Sequence, residues 1–189
     1  MQERSDEQLM TAVMAGDQVA LAALVTRYHA PLLGYLYRLV GGDRPLAEDL
    51  VQETLLHVLR QRTCQADRPF KPWLYAIATN LARDYFKSAA VHQRWRGGDE
   101  EQALLQLSDS AAGPEERALA AEQDSEVRAA LAQLREEYRV VLLLRFYQGF
   151  SLQEIAETLQ IPLGTVKSRL SVGVHRLRAM LAPVPKGVD

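Results

Sequence analysis

Several features that define other classes of protein are scarce in this sequence or absent from it. The 189 residues include one cysteine, Cys64, so we expect no internal disulfide, no CxxC redox motif and no cysteine-rich zinc site. The longest run of large apolar residues, 140–144, has five members, whereas a membrane span needs about 20. The polar N-terminus lacks the apolar core of a signal peptide. We therefore expect a soluble, cytoplasmic protein without direct membrane contact.

Signatures of catalysis and of cofactor binding are missing as well. The histidines at 29, 57, 92 and 175 are scattered and do not have the spacing of metal ligands. The sequence has no glycine-rich phosphate loop and no nucleophile motif. We predict that the protein is not an enzyme and that it needs no metal and no cofactor.

An overall excess of positive charge is also lacking, but the charge is unevenly distributed. The chain has 22 basic and 24 acidic side chains. Residues 91–124 contain 3 basic and 8 acidic side chains, and residues 125–189 contain 9 basic and 6 acidic ones. Between residues 158 and 182 there are four basic side chains and no acidic one. The near-neutral average therefore conceals an acidic middle and a basic C-terminal part, which keeps nucleic-acid binding open.

The acidic middle also has the composition of a linker. Residues 97–101 (GGDEE) and 108–114 (SDSAAGP) are rich in turn-forming and polar residues. We predict a flexible acidic linker over residues 91–123, between domains at 6–90 and 124–182. Sustained alternation of polar and apolar residues is absent. The predicted fold is all-α, with two small helical domains.

Helical periodicity runs through the N-terminal domain. Ser5 and Gln8 have the pattern of a capping box at the start of a first helix. In a later helix, over residues 70–88, apolar residues share one face: Phe70, Leu74, Ile77, Ala78, Leu81 and Tyr85. The opposite, outward face is predicted to carry Thr79, Asn80, Arg83, Phe86 and Lys87. Trp73 lies at the edge of the apolar face, and we predict a core position for it in preference to a base-stacking one.

The C-terminal domain contains the strongest local pattern. Ser151 and Glu154 form a second capping box, and a short break at residues 160–164 separates two amphipathic helices. Two such helices joined by a tight turn form a helix-turn-helix. An ordinary solvated helix pair would have the same caps, but its polar face would usually mix both signs of charge. We therefore favour DNA binding. The outward side chains of the second helix are Thr165, Lys167, Ser168, Arg169, Ser171, His175 and Arg176.

Longer segments resemble a known family. Residues 149–156 (GFSLQEIA) and 161–170 (IPLGTVKSRL) resemble the C-terminal promoter-binding domain of bacterial sigma factors of the sigma-70 family, especially the extracytoplasmic function (ECF) group. Residues 47–55 (AEDLVQETL) resemble the segment that docks on the clamp helices of the largest RNA polymerase subunit. Residues 70–85 (FKPWLYAIATNLARDY) resemble the segment that melts and reads the minus-ten promoter element. LuxR-type regulators share a similar helix-turn-helix, but the two N-terminal segments stand in the order of a sigma factor.

The resemblance implies the binding surfaces and partners of a sigma factor. It implies contacts to core RNA polymerase by Asp49, Gln52 and Glu53. It implies contacts to the minus-ten element by Thr79, Asn80, Arg83 and Lys87. It implies contacts to the minus-thirty-five element by Thr165, Lys167, Ser168 and Arg169, with Arg176 and Arg178 on phosphates. The loop over residues 61–69 would form the wall of a base pocket, and an anti-sigma factor would be a further partner.

The sequence departs from the family pattern in the second helix of the helix-turn-helix. Val172 and Val174 stand where many relatives carry arginine, and a valine can touch a thymine methyl but cannot bind a phosphate. Two other functions stay open. A dimeric helix-turn-helix regulator would bind a palindromic site without polymerase. A sigma mimic would bind a regulator but no DNA.

Overall fold

The computed structural model describes residues 4–60, 69–95 and 116–182, with side chains for 4–60, 69–88 and 125–182, and every regular element in these ranges is a helix. The all-α prediction is thereby confirmed. The elements are α1 (Asp6–Met14), α2 (Gln18–Leu39), α3 (Arg44–Arg60), α4 (Phe70–Trp95), α5 (Glu116–Gln133), α6 (Glu136–Leu142), a π-helix (Leu143–Tyr147), α7 (Leu152–Leu159) and α8 (Leu163–Leu181).

Short polar side chains start the first three helices. The predicted capping box of α1 is present, because the Gln8 N–H donates to the Ser5 hydroxyl and the Ser5 N–H donates to the Gln8 side chain. The Asp17 carboxylate starts α2, and the hydrogen bonds from Ala20 N–H and Val19 N–H lower its pKa. The Asp43 carboxylate accepts the Leu46 N–H at 3.0 Å in the first turn of α3. These satisfied N–H groups fix where each helix begins.

Helix α2 is the central element of the N-terminal domain. By length and composition alone, α2 could also cross a membrane. Core helices of soluble proteins meet the same two criteria. Here Leu24, Leu32 and Leu36 are buried against the other helices. The Tyr35 hydroxyl, at the centre of the core, shares a 2.7 Å hydrogen bond with Thr79 of α4. Apolar burial of this kind is the main favourable term in folding, so we interpret α2 as a core helix.

The C-terminal domain contains a helix whose second half is wound more loosely than an α-helix. The sequence predicts one helix over residues 136–148, whereas the structure has α6 followed by a π-helix that ends at Tyr147. The apolar run 140–144 is fully buried there. Gly173 of α8 is buried against this segment, and a Cβ on it would lie only 3.1 Å from the Leu142 side chain. The absence of a side chain thus allows α8 to pack closely on α6.

The predicted linker is shorter at both ends than its composition indicated. Helix α4 continues to Trp95 and α5 begins at Glu116, so both ends of the range 91–123 are helical. The glycine-rich part of that range lies outside the described residues, as do Cys64 and most of the predicted loop 61–69.

The two domains pack against each other around one continuous buried core. The ring of Tyr75 in α4 meets the ring of Phe150 edge to face, with centroids 5.5 Å apart. Arg139 of α6 donates to the carbonyl of Leu39 at the end of α2 at 2.6 Å, and its burial lowers its pKa. The sequence left the relative placement of the domains open, and the structure shows a closed arrangement.

Candidate polymerase and nucleic-acid interfaces

One face of α3 is exposed and mixes acidic with apolar side chains. Asp49 and Gln52 are exposed, and Glu53 forms an ion pair with Arg60 at 3.2 Å. One and two turns further along lie Leu56 and Leu59, which are 44% and 43% exposed. The other face, with Leu50, Val51 and Val58, is buried, and so are Ala47 and Thr54. Helix α3 therefore offers a partner both charge and uncovered apolar surface.

Leu56 and Leu59 were not expected on this surface. In the sequence, Leu59 is grouped with Leu55 and Val58 on the apolar side of this helix, and Leu56 is not singled out. The spacing contained the signal for Leu56, because positions 49, 52, 53 and 56 share one helical face. Leu56 and Leu59 therefore extend the exposed face that carries the three predicted polymerase contacts by about two helical turns.

The exposed part of α4 carries two of the four residues predicted for minus-ten contacts. Asn80 and Lys87 are exposed, and Lys87 lies 3.7 Å from Asp84 in a solvent-exposed ion pair. Arg83 is half-buried, because its Nε donates to Glu136 of α6 at 2.8 Å. Tyr85, predicted on the core face, is 44% exposed and packs edge to face against Phe86.

The predicted outward position of Thr79 is wrong. Its side chain has no exposed surface. Its hydroxyl donates to the Tyr75 carbonyl at 2.6 Å and shares a hydrogen bond with the Tyr35 hydroxyl. Burial raises the pKa of Tyr35, and the Thr79 hydrogen bond partly offsets that effect. Thr79 therefore satisfies a buried hydroxyl, and it cannot touch DNA in this arrangement.

Trp73 lies between the two predicted environments. It is half-buried, its ring packs edge to face on Phe70 at 5.9 Å, and it also lines a cavity of about 450 Å³ between α4 and α7. Asn80 lines the same cavity from α4, and Glu157 and Gln160 line it from the C-terminal domain. The core prediction for Trp73 is thus only partly met.

The helix-turn-helix forms as the sequence pattern predicts. The Ser151 hydroxyl accepts the Glu154 N–H at 3.1 Å, and the Glu154 carboxylate accepts the Ser151 N–H at 2.7 Å. Gln160 ends α7 in a left-handed conformation (φ 53°), which turns the chain sharply toward α8. Ile155 and Val166 are fully buried between the two helices. The turn and the buried contact fix the orientation of α8.

Most residues predicted for minus-thirty-five contacts are accessible on α8. Lys167, Ser168, Arg176 and Arg178 are exposed, and Thr165 is half-buried in the first turn. The guanidinium of Arg176 lies 4.9 Å from the Tyr138 ring, a distance typical of a cation–π contact.

Arg169 is the exception among the basic residues of α8. Its side chain is 24% exposed and pairs with Glu137 of α6 at 3.5 Å. Val172 and Val174, the two departures from the family pattern, differ in burial. Val172 is 38% exposed, whereas Val174 is partly buried against the core. An arginine at 172 would reach solvent, whereas position 174 contributes to packing.

Several contacts between the domains were not anticipated from the sequence. Lys71 Nζ donates to the Gln148 carbonyl at 2.8 Å, and the Tyr75 hydroxyl donates to the Gln148 side-chain oxygen at 2.6 Å. Arg38 donates to the Tyr147 hydroxyl at 3.0 Å. Lys71 and Tyr75 lie on α4, which was predicted to pack on a core with one face and to bind DNA with the other. Nothing in the sequence indicated that both would bind Gln148.

Within the described residues, no group of three or more histidine, cysteine, aspartate or glutamate side chains is arranged to hold a metal ion. The carboxylates Asp49 and Glu53 of α3 therefore have no third acidic or histidine ligand among those residues.

Comparison with known families agrees with this geometry. The model of sigma-70 region 2 matches residues 24–91, and the model of sigma-70 region 4 matches residues 124–177. These two matches cover most of α2, all of α3, most of α4 and most of the helix-turn-helix, and they define the class as sigma-70-type transcription initiation factors. The chain belongs to the ECF RNA polymerase sigma factors of that family.

Individual relatives are similar over nearly their whole length. RNA polymerase sigma-H factor of Pseudomonas aeruginosa is 32% identical over 96% of both chains. ECF RNA polymerase sigma factor SigW of Bacillus subtilis is 32% identical over 89% of this chain and 92% of its own. Among solved structures, CnrH in complex with the cytosolic domain of CnrY has a TM-score of 0.66 at 25% identity, over 94% of this chain and 97% of that one.

Proposed function

We propose that this sigma factor uses three separate surfaces to start transcription. The exposed face of α3 binds the clamp helices of core RNA polymerase through Asp49, Gln52 and Glu53, together with Leu56 and Leu59. The observation that carries this proposal is the pair of leucines, 44% and 43% exposed, beside three polar side chains on one helical face. Exposed apolar groups within a polar rim are typical of a protein-binding surface.

Helix α4 supplies the contacts to the minus-ten element. Asn80 offers a base edge both a donor and an acceptor, and Arg83 and Lys87 neutralise phosphates of the melted strand. Thr79 belongs to the supporting core, since its hydroxyl is fully buried. The apolar core behind α4 holds these side chains on a rigid surface.

Helix α8 supplies the contacts to the minus-thirty-five element. Thr165, Lys167, Ser168 and Arg169 lie in its N-terminal half, which is the part of a recognition helix that meets base edges in the major groove. Arg176 and Arg178, further along, neutralise phosphates. The exposed Val172 contacts a thymine methyl in place of the phosphate that an arginine would bind.

An anti-sigma factor is the proposed regulatory partner. CnrH, a solved relative at 25% identity, has a structure in complex with the cytosolic domain of CnrY. The protein works in the cytoplasm, on polymerase and DNA, and catalyses no reaction of its own.

The polymerase surface is tested by mixing the purified protein with bacterial core RNA polymerase on a sizing column. We expect the 21.2 kDa protein to move into the polymerase peak. Asp49→Arg should lower the amount bound by about tenfold, because it reverses the charge at a contact. Glu126→Arg, the same charge reversal on exposed α5 surface, should bind normally. Equal binding by Asp49→Arg and wild type would refute the assignment of α3.

A further inference from the structure

We propose that helix α1 is a positioning element for minus-ten recognition, because its acidic first turn fixes the start of α4. Two residues of that turn reach α4 by separate routes. Glu7 binds the α4 backbone, and Asp6 binds Tyr28, whose ring packs on Phe70 of α4. We name Asp6, Glu7 and Tyr28 the α1 tether. The match to sigma-70 region 2 begins at residue 24 and leaves α1 outside it. The proposal rests on the proposed function, which assigns α4 to the minus-ten element.

The residue before α4 differs from those that start the preceding helices. Ser5, Asp17 and Asp43 accept backbone N–H groups in the first turns of α1, α2 and α3. Pro69 has no side-chain acceptor, although its carbonyl accepts the Trp73 N–H at 3.4 Å. A side-chain acceptor for the first turn of α4 therefore has to come from a residue other than the one that precedes the helix.

Glu7 supplies such an acceptor from another helix. The Phe70 N–H donates to Glu7 Oε1 at 3.4 Å, across 63 residues of sequence. The hydrogen bond from its own backbone N–H, followed by that from Phe70, lowers the pKa of Glu7, so its carboxylate is charged at neutral pH. The dipole of α4 also favours a negative charge at this end. Glu7 thus caps α4 although it belongs to α1.

The second route runs through a buried aromatic pair. Asp6 accepts hydrogen bonds from the Tyr28 hydroxyl and from the Arg27 guanidinium of α2. Burial, followed by the hydrogen bond with Asp6, raises the pKa of Tyr28, which therefore stays protonated and can donate. The Tyr28 ring meets the Phe70 ring edge to face, with centroids 5.3 Å apart. Asp6 thereby fixes the ring against which the first residue of α4 packs.

The anchored turn leads directly to the proposed minus-ten surface. The Phe70 ring meets the Trp73 ring edge to face, with centroids 5.9 Å apart. Trp73 and Asn80 are seven residues apart, which places them on one face of α4, and both line the same cavity. A shift of the first turn therefore moves Asn80 with it. Recognition requires side chains held within about 0.5 Å of the productive geometry, so a small shift is enough to weaken it.

The α1 tether lies wholly within the N-terminal domain. Its contacts join α1 and α2 to α4, and none of these contacts involves residues 116–182. The positioning effect is therefore independent of where the C-terminal domain lies. Loss of the tether should impair recognition of one promoter element and spare the other. That selectivity distinguishes positioning from a general contribution to stability.

Three variants and a control examine the tether. Glu7→Ala removes the acceptor for the Phe70 N–H. Glu7→Gln keeps an acceptor oxygen at the same place, so this conservative variant should retain the function. Tyr28→Phe keeps the ring on Phe70 but removes the hydroxyl that binds Asp6. Glu126→Ala, on exposed α5 surface, is the matched control for the loss of a carboxylate.

The test uses holoenzyme, assembled from core RNA polymerase and the full-length chain, on a promoter at which this holoenzyme starts transcription. Two template libraries randomise either the minus-ten or the minus-thirty-five block, and each template carries a transcribed barcode that is counted by sequencing. The preference at a position is the ratio of transcription from the best base to that from the worst. Because it is a ratio within one library, it does not depend on how much holoenzyme is active.

We expect Glu7→Ala and Tyr28→Phe each to lower the minus-ten preference about fivefold, since each loses one hydrogen bond to a carboxylate. The double variant should lower it further. Glu7→Gln and Glu126→Ala should stay within about twofold of wild type. The preference at the minus-thirty-five block should change by less than about twofold in every variant, because α8 has no contact with the tether.

Two results would overturn the positioning role. In one, Glu7→Ala and Tyr28→Phe both keep the minus-ten preference of wild type. In the other, they lower the preferences at the two elements equally. Failure of the proposed function would look different, because the wild-type holoenzyme itself would then give no protein-dependent start or would show no preference at the minus-ten block.

Discussion

At the scale of single residues, two neighbours in the sequence of α4 differ in burial and in role. Thr79 is fully buried and satisfies the Tyr35 hydroxyl, while Asn80 is exposed beside the interdomain cavity. Helical geometry turns successive side chains by about 100°, so two adjacent polar residues need not share a face. The predicted outward face and the family resemblance assigned both to DNA, and their burial separates them.

Substitution of each residue should separate stability from DNA binding. Thr79→Val leaves a buried tyrosine hydroxyl without its partner, so we expect a loss of about 1–3 kcal/mol in the free energy of unfolding. Asn80→Ala should change stability by less than about 0.5 kcal/mol but lower transcription from melted promoters. Urea unfolding and abortive initiation measure the two effects. Thr26→Val, on exposed α2 surface, is the stability control.

The opposite pattern would refute these assignments. If Thr79→Val were as stable as Thr26→Val and yet defective in initiation, Thr79 would be a DNA-binding residue, as the sequence pattern first indicated. The environment seen in the closed protein would then not hold during transcription.

At the scale of elements, the capping box of α7 sets where the helix-turn-helix begins. The hydrogen bond with the Ser151 side chain, and then that from its N–H, lower the pKa of Glu154 below its ordinary value of 4.5. A lowered pKa in the folded state means that the charged form of Glu154 stabilises the fold. That stabilisation is fully present above the ordinary carboxyl pKa and is lost as the pH falls through the lowered one.

Removal of the cap should therefore have a pH-dependent cost. We expect Ser151→Ala to lose about 1 kcal/mol of stability at pH 7 and less as the pH falls below 4.5. Ser171→Ala, at an exposed position within α8, should stay within about 0.5 kcal/mol of wild type at every pH. Denaturant unfolding at several pH values measures both. A cost for Ser151→Ala that is the same at pH 7 and pH 4 would contradict the role of the Glu154 charge.

Local patterns predicted the elements better than they predicted their partners. Both capping boxes, the helix-turn-helix and the all-α class follow from short-range rules, because caps and turns depend on residues three or four apart. The π-helix at Leu143–Tyr147 and the helical ends of the linker range were not predicted. Gln148 illustrates why the interdomain contacts were missed, since its partners Lys71 and Tyr75 lie more than 70 residues away. No local rule encodes such a contact.

At the scale of the whole molecule, the two domains form one closed arrangement in which the proposed binding residues differ in accessibility. The α3 surface is exposed, while Arg83 and Arg169 are held by Glu136 and Glu137. Lys167, Arg176 and Arg178 of α8 stay exposed in the same arrangement, so only part of the proposed DNA-binding surface is covered.

Run-off transcription is the most direct test of the central claim, that this chain directs core RNA polymerase to its own promoters. Core polymerase and fragments of the source genome are incubated with and without the protein, and the transcript starts are mapped. We predict discrete protein-dependent starts that share two short sequence blocks, about 10 and 35 base pairs upstream, and their loss with Lys167→Ala/Arg169→Ala. Protein-dependent starts that persist unchanged in that double variant would contradict the role of α8. No protein-dependent start, from polymerase that initiates normally with another sigma factor, would contradict the account as a whole.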